Sequence, residues 1–140
     1  MPSPLLRFSA VVVALTLTAA TRAQTTAALK SGEQVYRETC MACHGTGVAQ
    51  APRTGDRKAW AKLIAEGQAV LTSHAWVGVR GMPPKGGNPD LSLEEFSRAV
   101  AWLAREAGGN WQDPDAAMLR RIQAEEKKRL AARTRAAAAK

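Results

Sequence analysis

The run Cys40-Met41-Ala42-Cys43-His44 holds both cysteines of a 140-residue chain and one of its two histidines. Three soft or borderline donors within five positions constrain the fold more than any other feature, because whatever they bind must lie against the segment that carries them. Three chemistries use such a cluster: a redox dithiol, a metal knuckle, or the attachment of a larger cofactor. A thioredoxin-like dithiol belongs beside a βαβ pattern, and no alternating apolar run here is long enough for a strand. A structural zinc site takes about four ligands. Cys40, Cys43, His44 and His74 exhaust the supply, and adjacent Cys43 and His44 sit awkwardly at one tetrahedral ion. A disulfide between Cys40 and Cys43 would close a tiny loop and add little stability.

The remaining chemistry fits the spacing. Cys-x-x-Cys-His is the form that attaches a c-type haem. Two thiols three positions apart reach the two vinyl groups on one porphyrin edge and form thioethers, and His44 then turns beneath the ring to offer the iron a nitrogen. The expected cofactor is one covalently attached haem c with its iron.

The N-terminus agrees with an open, exported setting. Arg7 precedes an uncharged apolar run from Phe8 to Ala20, and Thr21-Arg22-Ala23 offers a small-x-small cleavage site before Gln24. That layout reads as a signal peptide over 1–23. The apolar run is shorter than the roughly 20 residues a bilayer span needs, so the expectation is a periplasmic mature chain with no transmembrane span, a retained anchor being the alternative. The whole chain carries a net charge of +8, and residues 113–140 contribute eight Lys/Arg against four Asp/Glu. A basic chain invites nucleic acid as a partner, but export argues against that, as does the lack of aromatics interleaved with the basic tail. Acidic protein surfaces or anionic lipid heads suit the charge better.

Between leader and tail the pattern is helical, and the fold class reads as all-α. Ser31, with Gln34 three positions on, starts a helix that runs into Cys40–His44. "GTGVAQAPRTG" is a loop. Asp56 caps a helix carrying Trp60, Leu63 and Ile64, and "QAVLTSHAWVG" reads as another. "VRGMPPKGGNPDL" is a loop because Pro83 and Pro84 forbid a helix there. Ser92 with Glu95 forms a capping box before the apolar stripe Phe96, Val100 and Leu103, and Gly108-Gly109 stops that helix. Asp113-Pro114 then opens a last helix, with Glu125 and Arg129 as a supporting pair. Its apolar stripe is thin, so it reads as mostly solvated. The division is a domain over 24–112 and a basic helical tail over 113–140. A body this small and poor in aromatics has a marginal core without a staple, which a haem would supply.

The iron's second axial ligand is sought among the methionines. Met1 leaves with the leader, Met41 lies inside the attachment motif, and Met118 sits in the tail. Met82, between Gly81 and Pro83-Pro84, lies 38 residues after His44 in a stiff loop. It is the candidate, with His74 as its rival.

The segments "VYRETCMACHGTGVAQAPRTGDRKAW" and "GMPPKGGNPDLSLEE" resemble class I c-type cytochromes of the cytochrome c5 type, over about Gly32 to Leu103. The resemblance implies a small helical cytochrome c fold wrapped around the haem, with thioethers at Cys40 and Cys43 and with His44 and Met82 on the iron. Some members carry two further cysteines after the methionine loop. This chain has Asn88-Pro89-Asp90 there and no further cysteine, a departure that touches no haem ligand.

With both axial positions filled, no vacancy remains for a substrate, so the chain reads as a one-electron carrier and not an enzyme. Its partners are redox donors and acceptors with acidic docking surfaces, met by a basic rim of Lys85, Lys58, Lys62 and Arg80. Arg53, Lys58 and Trp60 are candidates to hold the haem propionates. Two other readings stay open: a haem subunit of a larger oxidoreductase, or a small haem enzyme or sensor if Met82 is not a ligand.

Overall fold

The computed structural model describes residues 28–139. The leader reading over 1–23 falls outside them. Among the described residues, five helices follow one another. α1, residues 32–44, is a composite of α-helical Gly32–Val35, a π-helical segment Tyr36–Cys40 and α-helical Met41–His44. α2 is Arg57–Ala65, α3 Gln68–Trp76, α4 Leu93–Glu106 and α5 Ala116–Ala138. Short 3-10 turns occupy Val48–Gln50 and Pro84–Gly87, and the described residues form no strand beyond an isolated bridge between Val79 and Met82. The all-α expectation holds.

α1 and α4 cross at the base of the domain. Ser31 Oγ accepts the Gln34 N–H at 3.2 Å, starting α1. Gly32 is the residue that permits the crossing, since a Cβ there would lie 2.3 Å from the Arg98 carbonyl oxygen. Beyond it the Tyr36 ring lies 4.5 Å from that of Trp102. α4 begins with the capping box expected from Ser92 and Glu95 and buries Phe96, Ala99, Val100, Leu103 and Ala104 on its inner face. Full burial of one side chain such as Phe96 contributes roughly 1.5–3 kcal/mol.

α3 is enclosed on nearly every side: Ala69, Leu71, Thr72, Ser73 and Ala75 are all buried. The cause is α5, which lies along it. α5 is mostly exposed, in keeping with its thin stripe, yet Ile122 is fully buried and two long-range hydrogen bonds fasten α5 to α3 and its end. The start of α5 also moves. Asp113 instead pairs with Arg105 at 3.1 Å, and Asp115 is the cap, its Oδ1 accepting the Met118 N–H at 2.7 Å. Glu125 pairs with Lys128 at 2.7 Å, not with Arg129. None of the helices among the described residues is long and apolar enough to cross a membrane.

Candidate haem-binding site

The end of α1 presents Cys40, Cys43 and His44 in succession, and the loop after it folds back to hold the histidine. His44 Nδ1 lies 2.9 Å from the Pro52 carbonyl oxygen. A carbonyl can only accept, so Nδ1 carries the proton, and Nε2 of the neutral ring keeps its lone pair for a metal. The backbone is fixed by the same segment: Thr54 N–H donates to the His44 carbonyl at 2.8 Å. The Thr54 hydroxyl lies 3.1 Å from that carbonyl and 2.9 Å from the Tyr36 hydroxyl, donating to the first and accepting from the second. Trp60 adds a wall, its Nε1 donating to the Arg53 carbonyl at 2.8 Å and its ring centroid 6.0 Å from that of His44.

The two thiols differ. Cys43 is exposed and Cys40 buried. Burial, assisted by the neighbouring Cys43, pushes the Cys40 thiol up to about 11, and its Sγ lies 4.0 Å from the Val35 carbonyl oxygen.

Met82 arrives from a different part of the chain. α3 ends at Trp76, and a tight hairpin follows in which Val79 N–H donates to the Met82 carbonyl at 3.0 Å and Met82 N–H donates to the Val79 carbonyl at 2.9 Å. Arg80 sits at its tip with φ +52°, a conformation usually left to glycine. This loop lies against the attachment segment. A Cβ on Gly81 would lie 3.6 Å from the Ala49 carbonyl oxygen, and Asn88 Nδ2 donates to Thr39 Oγ1 at 3.3 Å. Met82 packs, half-buried, against the core cluster that contains Cys40. Among the described residues, the four non-glycine positions at positive φ are Ala49, Gln50, Arg80 and Lys85. All lie in the two loops that meet here, and left-handed backbone costs each roughly 1–2 kcal/mol. Such clustering is typical of functional sites.

The donor set therefore suits a covalently held haem: two thiols at the right spacing, an imidazole with its outer nitrogen free, and a thioether on a rigid loop. His74 Nδ1 sits 3.0 Å from Glu66 Oε2, and among the described residues no zinc ligand set is assembled around the cysteines. No group of three or more His, Cys, Asp or Glu among the described residues is placed to hold a metal ion.

A helical domain that packs a methionine loop against the core cluster holding the first cysteine of a Cys-x-x-Cys-His motif falls in the class of small proteins built around attached haem. Comparison with known proteins narrows the class. The family described as cytochrome C oxidase, cbb3-type, subunit III matches residues 27–103, more than half of the chain. Cytochrome c-555 of Chlorobaculum thiosulfatiphilum is 38% identical over 81 residues, covering 55% of this chain and 94% of its own. Cytochrome c5 of Azotobacter vinelandii is 40% identical over 78 residues, covering 54% and 93%. A solved structure, described as the crystal structure of an electron transfer complex of nitrite reductase with cytochrome c, aligns with a TM-score of 0.53 and 39% identity over 54% of this chain and 93% of that one. The chain belongs to the cytochrome c family, related to cytochromes c5 and c-555, and carries covalently bound haem c.

Several residues that support the site were not marked by sequence. Pro52 and Thr54 read only as loop, yet they position His44. Thr39 and Asn88 join the two loops. Of the propionate candidates, Trp60 already spends its donor on Arg53, while Arg53 and Lys58 are exposed. Lys85 folds back, its Nζ donating to the Pro89 carbonyl at 2.9 Å and lying 4.7 Å from the Trp76 ring centroid.

Proposed function

We propose that this cytochrome is an exported, periplasmic one-electron carrier with a single haem, attached through Cys40 and Cys43 and held at the iron by His44 and Met82. The observation that carries the reading is the His44 ring, whose Nδ1 is committed to Pro52 and whose Nε2 is left free. When bound, the haem supplies an iron that gains and loses one electron. The chain's own residues set the terms of that exchange. Pro52 and Thr54 orient the imidazole, and the Met82 thioether favours ferrous iron and so raises the potential. With His44 and Met82 both holding the iron, oxygen or peroxide would find no place to bind, which separates a carrier from an enzyme or gas sensor.

Electron exchange requires a partner to approach closely. Around the attachment turn, Met41 and Val48 are 48% and 55% exposed, an apolar contact surface next to the cysteines. Lys58, Lys62 and Arg80 are exposed and suit redox partners with acidic docking surfaces, an attraction that weakens as salt rises. Lys85 contributes less, since its ammonium is engaged within its own loop.

A second reading, that the chain serves as a haem subunit of a larger oxidoreductase, is favoured by the description of the matching family. The packing of α5 onto its own domain weighs against the tail being a docking helix for such an assembly.

The test is the visible spectrum of the holoprotein. The ferric parent should show the weak charge-transfer band of a methionine–iron bond, Met82→Ala should lose it, and the ferrous parent should fail to bind carbon monoxide. A parent that lacks the band and takes up carbon monoxide readily is a haem enzyme or sensor instead.

A further inference from the structure

The family match ends at residue 103, so α5 is an addition to the cytochrome domain, and it is laid on the side that carries the Met82 loop. Its contacts converge on the point from which that loop springs. Trp76, the last residue of α3, donates from Nε1 to Glu126 Oε1 at 3.0 Å. The same indole meets Phe96 edge-on, ring centroids 5.3 Å apart, and lies under the Lys85 ammonium. One side chain thus touches α5, the core and the far limb of the methionine loop. One residue on, the Val77 carbonyl accepts from Arg133 Nη1 at 2.8 Å. Further out, Arg129 and Arg133 face Val79, Arg80 and Met82 across a cavity of about 640 Å³. α5 therefore grips the stem of the hairpin and stands off its tip.

We propose that α5 is a brace for the Met82 loop, with Trp76, Glu126 and Arg133 as positioning residues that keep the methionine on the iron. The proposal rests on the reading of Met82 as an axial ligand. Loops open locally at a cost well below that of global unfolding, and the cost rises with the contacts broken on opening. Freeing the hairpin stem here requires breaking two polar links to a helix itself anchored by the fully buried Ile122. The loop also holds Arg80 and Lys85 in left-handed conformations, so it tends to relax once its stem is free. The brace opposes that relaxation from outside the domain, without touching the iron.

The experiment uses the full-length ferric holoprotein and imidazole as a competitor for the methionine position, followed by loss of the charge-transfer band. Arg133→Ala and Trp76→Phe should each bind imidazole about fivefold more tightly, the factor one ordinary net hydrogen bond supplies. Arg133→Lys, which keeps a donor, should stay near the parent. Hydrogen exchange at the Val79 and Met82 amides should quicken by a similar factor in the first two variants, with exchange in α1 unchanged. If Met82→Ala abolishes the band but imidazole affinity and hairpin exchange are the same in Arg133→Ala and Trp76→Phe as in the parent, the brace is wrong and the ligand reading stands. If the parent spectrum is indifferent to Met82→Ala, the ligand reading fails and takes the proposed role of α5 at the iron with it.

Discussion

The His44 side and the Met82 side of the site are built by different means. On the His44 side the partners are close in sequence: Pro52 is eight positions from the histidine and Thr54 ten. The histidine is oriented by its own loop, so that half is largely specified once residues 40–54 are in place. On the Met82 side the nearby contacts only shape a hairpin. Its placement depends on partners far along the chain, from Thr39 bonded to Asn88 at a separation of 49 to Arg133 bonded to Val77 at 56. The half proposed to attach the haem is therefore locally determined, while the half proposed to tune it is a product of the completed fold. Cofactor capture and control of the potential should then be separable by mutation.

The largest expected effect tests that separation directly. Cys40→Ser combined with His44→Ala removes a tether and the oriented imidazole, and almost no covalently attached haem should survive denaturation and mass analysis. Met82→Ala should keep the attached haem in near-parent yield while the potential falls, on the order of 100 mV within the ~0.8 V range that axial ligands command. If Met82→Ala also eliminated attached haem, the two halves would not be independent.

A smaller effect addresses what both halves share. Gly32→Ala would place a Cβ 2.3 Å from the Arg98 carbonyl oxygen, forcing α1 and α4 apart. Overpacking of this kind costs about 1–3 kcal/mol, more than the roughly 1 kcal/mol that alanine gains over glycine in a helix. Thermal unfolding of the holoprotein should show a net loss of up to about 2 kcal/mol, with the methionine band intact up to the transition. Loss of the band well before unfolding would mean that the Met82 side leans on this crossing more than the His44 side does.

The same contrast governs what the sequence made legible. Cys40, Cys43 and His44 stand out because their chemistry is local, and the caps at Ser31, Asp56 and Ser92 were readable for the same reason. Met82 emerged by elimination and resemblance, with nothing local to show what holds it. α5 is mostly exposed, as its thin stripe implies, but its attachment to α3 was not legible, because a single fully buried residue, Ile122, and polar contacts through Glu126 and Arg133 leave no apolar stripe to see. The crowding of α3 by α5 also explains why "QAVLTSHAWVG" lacks a clear polar face. The start of α5 was misplaced by two residues because Asp113 and Asp115 are equivalent as caps until Arg105 claims the first. The π-helical segment Tyr36–Cys40, which rotates the cysteine turn relative to the base of α1, has no sequence signature of its own.

The smallest effect belongs to neither half, and it calibrates the other two. Glu95 completes the capping box of α4 and accepts the Lys30 backbone N–H at 3.2 Å, joining the starts of α1 and α4. That backbone bond first, and then the Ser92 hydroxyl, lowers its carboxyl below the ordinary 4.5. A carboxylate whose folded value is depressed stabilises the fold above its unfolded value, and the contribution disappears as pH falls through the folded one. Glu95→Gln keeps a capping side chain but loses the charge, and Glu95 is only half-buried, so solvent screening limits the loss. Denaturant unfolding near pH 7 should show the variant less stable by about 0.5 kcal/mol, a fraction of what a charge-assisted hydrogen bond contributes. The two proteins should converge as pH drops below 4.5, with haem yield and methionine band identical throughout. A gap that persisted or widened in acid would assign Glu95 a packing role in place of an electrostatic one. A changed methionine band would mean that the junction of α1 and α4 reaches the iron, and that the Met82 side is held from its base as well as from α5.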